Sequence, residues 1–183
     1  STMYGLAALA TSLPWRKGAR IVAFAGEYPT NVSVWQRVCE RHGLTLTLLP
    51  VSDFAHDRGP DDSALARELA RGDVQLCAVS AVQFQSGLRM PLAHIAGLCH
   101  AHGAELAVDA VQALGAMPFE PASLGVDYAV AGAHKWLLGV DGTGILYIRR
   151  DRLAALQPGF AGAFSHVDAE RLFERRGELR YDR

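Results

Sequence analysis

Lys135 sits between His134 and Trp136, downstream of Asp109, which closes the apolar run Leu106-Ala107-Val108. Gln112 follows that acid by three residues, and Ser1-Thr2 opens the chain. Each of these residue types can do one piece of chemistry. A lysine amine condenses with an aldehyde, a carboxylate beside a heterocycle keeps its ring nitrogen protonated, and hydroxyls or an imidazole hold a phosphate. Pyridoxal phosphate (PLP) makes all of these demands together. Its ring accepts electrons only while the nitrogen carries a proton, and Asp is the usual partner of that nitrogen. Lys135 therefore reads as the anchoring amine and Asp109 as the ring-nitrogen partner. Gln112 lies in reach of the ring hydroxyl if the chain coils after the strand.

Taken singly, the same residues have plainer readings. Asp after a strand is a preferred helix cap, and a His-Lys pair is ordinarily solvated surface. Ser1-Thr2, ahead of Met3 to Leu9, is an ordinary hydroxyl cap as well as a helix N-terminus able to offer free N–H groups to an anion. What favours the cofactor is the order along the chain. A strand ending in Asp-x-x-Gln is followed by an apolar strand at Val126 to Val130, then Gly132-Ala133-His134-Lys135-Trp136, then the glycine-rich run Gly139 to Tyr147.

The elements that must hold these residues follow from periodicity. Apolar runs predict strands near 20–25, 44–49, 74–79, 104–109, 126–131 and 144–149, and helical patterns fall near 2–12, 31–42, 62–71 and 91–102. Pro91 suits a first helical turn, while Gly43, Gly72 and Gly103 fall just past three helix ends. Helix, glycine, strand in repetition is the α/β signature, and it predicts a three-layer αβα domain on a mostly parallel sheet. In such sheets ligands bind outside the carboxyl ends of the strands, where Asp109 would open. The domain is expected over 1–156, with 157–183 a connecting segment that ends in the charged stretch Asp168 to Arg183.

Composition fits one globular domain of 183 residues, half of them apolar. A formal charge of −1 without any long Lys/Arg run gives no reason to expect nucleic acid or a membrane surface as partner. No segment reaches the roughly 20 apolar residues of a membrane helix, and residues 1–10 lack the charged start of a signal peptide. A cytoplasmic protein is the simplest reading. No group of residues suggests a metal site.

These motifs give the chain a resemblance to the class V aminotransferase family of fold-type I PLP enzymes. That family includes cysteine desulfurases, selenocysteine lyases, kynureninases and isopenicillin-epimerase-like proteins. The likeness runs from Ser1-Thr2 to about Leu156 and implies the large-domain fold of PLP-dependent transferases. It implies that Asp109 pairs the pyridine nitrogen, Gln112 contacts the ring hydroxyl, His134 helps hold the phosphate and Lys135 carries the cofactor. Ser1 and Thr2 would form the phosphate-binding turn, and Tyr28, after the strand at 20–25 and Gly26-Glu27, would stack on the ring. The implied activity is PLP-dependent chemistry on an amino-acid substrate, of the cysteine desulfurase or selenocysteine lyase type. The alternatives are transamination, epimerisation, kynureninase-like cleavage or a non-catalytic fragment that keeps the fold. A homodimer is implied, as are further segments before Ser1 and after Arg183.

Two positions depart from the desulfurase pattern. Phe84 stands where those enzymes carry an asparagine, and Gly132 stands where they carry a serine. Gln83 or Gln85 could replace the lost asparagine contact, and the sequence does not choose between them. The resemblance places the reactive cysteine far downstream of the lysine, and Cys39, Cys77 and Cys99 all fall in apolar positions typical of buried thiols.

Overall fold

The structure is a computed structural model that describes residues 1–55, 64–162, 165–167 and 179. Strands β1 (Arg20–Phe24), β2 (Thr45–Leu49), β3 (Val74–Ser80), β4 (Glu105–Asp109), β5 (Tyr128–Gly132) and β6 (Gly144–Ile148) form one sheet in the order β2-β1-β3-β4-β5-β6. Pairings are parallel from β2 through β5, and β6 runs antiparallel to β5. Helices α1 (Thr2–Ser12), α2 (Thr30–His42), α3 (Ser52–Ala55), α4 (Ala64–Leu69), α5 (Leu92–Ala101) and α6 (Arg150–Leu153) complete the described elements.

The sheet is covered on both faces, which is why its inner strands read as unbroken apolar runs. Alternate residues of a strand point to opposite faces, and β1 shows the split. Val22 and Phe24 join the core that includes Leu65 and Leu69 of α4 and Ile95 and Cys99 of α5. Ile21 and Ala23 join the opposite core with Leu6 and Leu9 of α1 and Trp35 and Val38 of α2. Three layers result, as the sequence predicts.

The reversal at β6 has a local cause. A parallel neighbour needs a crossover of a dozen or more residues, usually helical, and residues 133–143 are a short return loop with no helix. That loop carries His134 and Lys135, so both are held above the carboxyl end of β5.

Several boundaries differ from expectation. The strand expected at 126–131 begins at Tyr128, because the buried Asp127 turns its carboxylate to the N–H of Leu106 (2.8 Å) and to Arg149 and Arg152. Pro91 lies just before α5, with φ −77° and ψ 72°, outside the helix it was expected to begin. The helix expected at 62–71 is α4, and residues 62 and 63 lie outside the described residues. So does nearly all of the charged stretch from Asp168 to Arg183. The short helices α3 and α6 have no counterpart in the sequence pattern. Gly43 ends α2 in the left-handed conformation, φ 65°, and its N–H returns to the Cys39 carbonyl.

Helix α1 is pressed onto β5 at Gly5, where a Cβ would overlap the Cγ1 of Val130. The Thr2 hydroxyl then accepts the Gly132 N–H at 2.8 Å and ties the helix start to the strand end. Gly5→Ala is expected to destabilise the full-length protein by about 1–3 kcal/mol in urea unfolding, as overpacking does. Combined with Val130→Ala it should cost less than the two single changes added, because the pair shares one contact.

Candidate active site

Asp109 is the last residue of β4, in register with Ser80 of β3 and Val130 of β5. Only 6% of it is exposed. Its Oδ1 accepts the Val111 N–H at 2.9 Å, and its Oδ2 accepts the Asn31 side-chain amide at 2.9 Å. No helix follows Asp109 for it to cap. One oxygen organises the turn after β4, and the other faces the ends of α2 and β3. Burial pushes the carboxyl up from the ordinary Asp value. The hydrogen bonds from Val111 and Asn31 pull it back in part, the charge of Glu27 raises it further, and Lys135 lowers it.

Lys135 is half-buried in the loop after β5, and its Nζ lies 5.9 Å from the centre of the Tyr28 ring. That distance is within cation–π range. Tyr28 in turn meets Phe84 edge to face, centroids 5.4 Å apart. Both rings are well exposed, Tyr28 at 50% and Phe84 at 40%, so neither is core filler. Gln112 stands in the turn after Asp109, where its Oε1 accepts the Trp136 indole N–H at 3.1 Å. This bond fastens the Asp109 turn to the Lys135 loop. Gly115 makes the approach of the two segments possible, since with φ +91° a Cβ there would stand 2.5 Å from the Trp136 carbonyl oxygen.

At the other end of the crevice Ser1 caps α1, its hydroxyl accepting the Tyr4 N–H at 3.5 Å. Gly132 has a physical reason to lack a side chain. A Cβ there would stand 2.9 Å from the His134 ring and 3.1 Å from the Thr2 hydroxyl. The absence of that atom lets the imidazole lie beside Thr2. The structure therefore draws the anticipated residues into two groups on one side of the sheet: Asp109, Lys135, Tyr28 and Gln112, and Ser1, Thr2 and His134.

Four residues of the site were not anticipated in their roles. Glu27, Asn31, Ser80 and Gln83 are all buried. The Glu27 carboxylate accepts the Ser80 N–H (2.8 Å), the Gln83 amide (2.7 Å), the Asn31 amide (3.1 Å) and the Ser80 hydroxyl. Of the two glutamines, Gln83 points inward and donates its amide to Glu27, and Gln85 is exposed. The three cysteines are buried and free. The Cys77 thiol is pushed well up by its hydrogen bond with Cys99 and by burial, the reverse of what a nucleophile needs.

A parallel sheet with helices on both faces and its polar loops gathered at one edge is the large-domain fold of PLP-dependent transferases. The chain matches the family described as Aminotransferase class-V over residues 1–176, and it belongs to that family. It is 31% identical over 179 residues to a probable cysteine desulfurase of Chlamydia trachomatis, covering 97% of this chain and 43% of that protein. It is 34% identical over 153 residues to a 2-aminoethylphosphonate–pyruvate transaminase of Burkholderia ambifaria, covering 82% of this chain and 39% of the other. Among solved structures it superposes on a C-DES variant with glycine covalently linked to the PLP cofactor. The TM-score is 0.83 at 25% identity, covering 97% of this chain and 47% of that one. The cystine C–S lyase C-DES in complex with its product cysteine persulfide gives a TM-score of 0.80 at 27% identity, with 91% and 44% covered. The chain thus spans less than half the length of these relatives.

The raised Asp109 carboxyl sets a pH dependence for the cofactor-free protein. Below the ordinary Asp value of about 3.9 the group is protonated both folded and unfolded. Between that value and the raised folded one, the folded state holds a proton that the unfolded state has released. Stability is therefore greatest below the window and is lost as pH rises through it. Urea unfolding of the apoprotein across this range should show the decline in the wild type. The Asp109→Ala variant should lack that component, and an unchanged slope in the variant would remove Asp109 as its source.

Proposed function

We propose that this protein is the large-domain portion of a PLP-dependent enzyme that acts on a sulfur amino acid in the manner of a cysteine desulfurase or C–S lyase. PLP is the cofactor of the family to which the chain belongs. The residues at the site suit it. A buried carboxylate is placed for a protonated ring nitrogen, an exposed aromatic for the ring face, an amine for the aldehyde, and two hydroxyls beside an imidazole for the phosphate. The observation that carries the reading is Asp109, a buried carboxylate at the carboxyl end of a central strand, near which the Lys135 loop is fastened through Gln112 and Trp136.

In this reading Ser1, Thr2 and His134 bind the phosphate, and the start of α1 contributes N–H groups and the positive end of its dipole. Tyr28 covers the ring, Gln112 reaches the ring hydroxyl, and Asp109 holds the proton at the ring nitrogen. The bound cofactor supplies an electron sink for negative charge developing at the substrate α-carbon. Lys135 would hold the cofactor through the cofactor's aldehyde carbon, and its free amine would be the base that moves the proton at the substrate α-carbon. Tyr28 lies beside the lysine amine, with Phe84 packed edge to face on its ring. In this reading the residue that grips the substrate carboxylate and the sulfur-accepting group come from parts of the protein outside this stretch of chain, and the active form is a homodimer.

Transamination is the second reading, favoured by the 34% identity to the Burkholderia transaminase and by Phe84 in place of a polar residue. Sulfur release from cysteine by the full-length protein supports the first reading, and transfer of the amino group to a keto acid supports the second. Borohydride reduction in the presence of PLP, followed by peptide mapping, is expected to place the cofactor on Lys135. Its absence from Lys135 in the full-length protein would overturn both. Asp109→Ala should retain the adduct while slowing turnover about 10- to 150-fold, the loss of one charge-assisted hydrogen bond.

A further inference from the structure

Glu27 is a buried carboxylate, 7% exposed, and among the described residues no Lys, Arg or His is bonded to it. Four donor contacts converge on its two oxygens: the Ser80 N–H, the Ser80 hydroxyl, the Gln83 amide and the Asn31 amide. The Asn31 nitrogen has two hydrogens and three acceptors around it: Glu27 Oε2 at 3.1 Å, the Ser80 hydroxyl at 2.8 Å and Asp109 Oδ2 at 2.9 Å. Two buried carboxylates thus share one amide. A second buried negative charge is expensive unless it is compensated, and bracing β1 against β3 would need only a neutral side chain.

We infer that Glu27 is a positioning residue for the ring-nitrogen contact: through Asn31 it fixes Oδ2 of Asp109, and its charge behind Asp109 keeps the proton on the ring nitrogen of the bound cofactor. The inference rests on the PLP reading. The proton sits between the ring nitrogen and Asp109, and a negative charge behind the acid favours the arrangement in which that proton and its positive charge remain. The charged groups facing Asp109 are Glu27, from the turn between β1 and α2, and Lys135, from the loop after β5. Cys77 on β3 also senses the charge of Glu27. Asn31 and Ser80 fill the space between the two acids.

The test is a pH titration of full-length protein loaded with PLP carrying ¹⁵N in the ring, following the ring-nitrogen signal by NMR. In Glu27→Gln the midpoint for loss of the ring proton should fall by on the order of one pH unit relative to wild type. Asn31→Ala, which cuts the bridge and leaves the charge, should move it in the same direction by less. Circular dichroism confirms that each variant is folded, and if Glu27→Gln does not fold, Asn31→Ala carries the test. An unchanged midpoint in the folded variants would overturn the inference and leave Glu27 as a brace between strands. Failure of the wild type to take up PLP is a different result and would instead remove the cofactor reading.

Discussion

A carboxylate buried at the end of a central strand is the constraint around which the rest of this molecule is arranged. Asp109 cannot sit there unsatisfied, because an ionised group taken from water costs several kcal/mol unless its oxygens are met. One oxygen is met by the turn that follows β4, and the other by a residue of α2, a helix that begins far away in sequence. Placing Asn31 under Asp109 requires β1 and β3 to end level with β4, which the parallel register provides. The paired Ser80 and the inward Gln83 then become necessary, since Glu27, in the turn just before α2, is buried beside Asn31 and needs donors of its own. A polar floor is built this way inside an otherwise apolar sheet.

The walls of the crevice depend on close backbone approaches. Gly5 lets α1 lie against Val130, Gly132 leaves space for the His134 ring beside Thr2, and Gly115 lets the turn after β4 meet the carbonyl of Trp136. The first two bring the N-terminal helix to the end of β5, and the third joins two neighbouring loops of the second half. Helix α1 reaches the end of β5 through Thr2, and the N-terminal amine reaches the Gly142 carbonyl at 3.2 Å. The loop of Lys135 is thereby held at both flanks, by α1 on one side and by Gln112 on the other. Leu138, in that loop, is at φ 53° the one non-glycine residue in the left-handed region among those described.

Much of this was legible from residue order. The four inner strands are nearly continuous apolar runs, because a sheet buried on both faces leaves little polar register to confuse the pattern. Asp109, Gln112 and Lys135 could be read because their spacing ties them to strand ends. The exact start of β5 was not legible, since Val126-Asp127 looks like the head of a strand until Asp127 is seen to serve the Leu106 N–H and two arginines. Glu27 and Asn31 were hidden for another reason. Polar residues after a strand are ordinary loop composition, and only the alignment of three strand ends reveals that these two point inward. The direction of Gln83 was likewise a matter of tertiary packing, because its neighbours Phe84 and Gln85 face solvent.

The three tryptophans fall into two optical environments. Trp15 and Trp35 meet edge to face at 6.5 Å on the α1–α2 side of the sheet, with Trp35 fully enclosed. Trp136 is more than half exposed and shares its indole proton with Gln112, next to Lys135. The molecule therefore carries one intrinsic fluorophore for its interior and another at the mouth of its crevice. With Trp15 and Trp35 as the internal reference, quenching confined to Trp136 reports occupancy of the crevice while the reference signal reports the integrity of the fold, so filling and unfolding can be told apart in one cuvette without any added label.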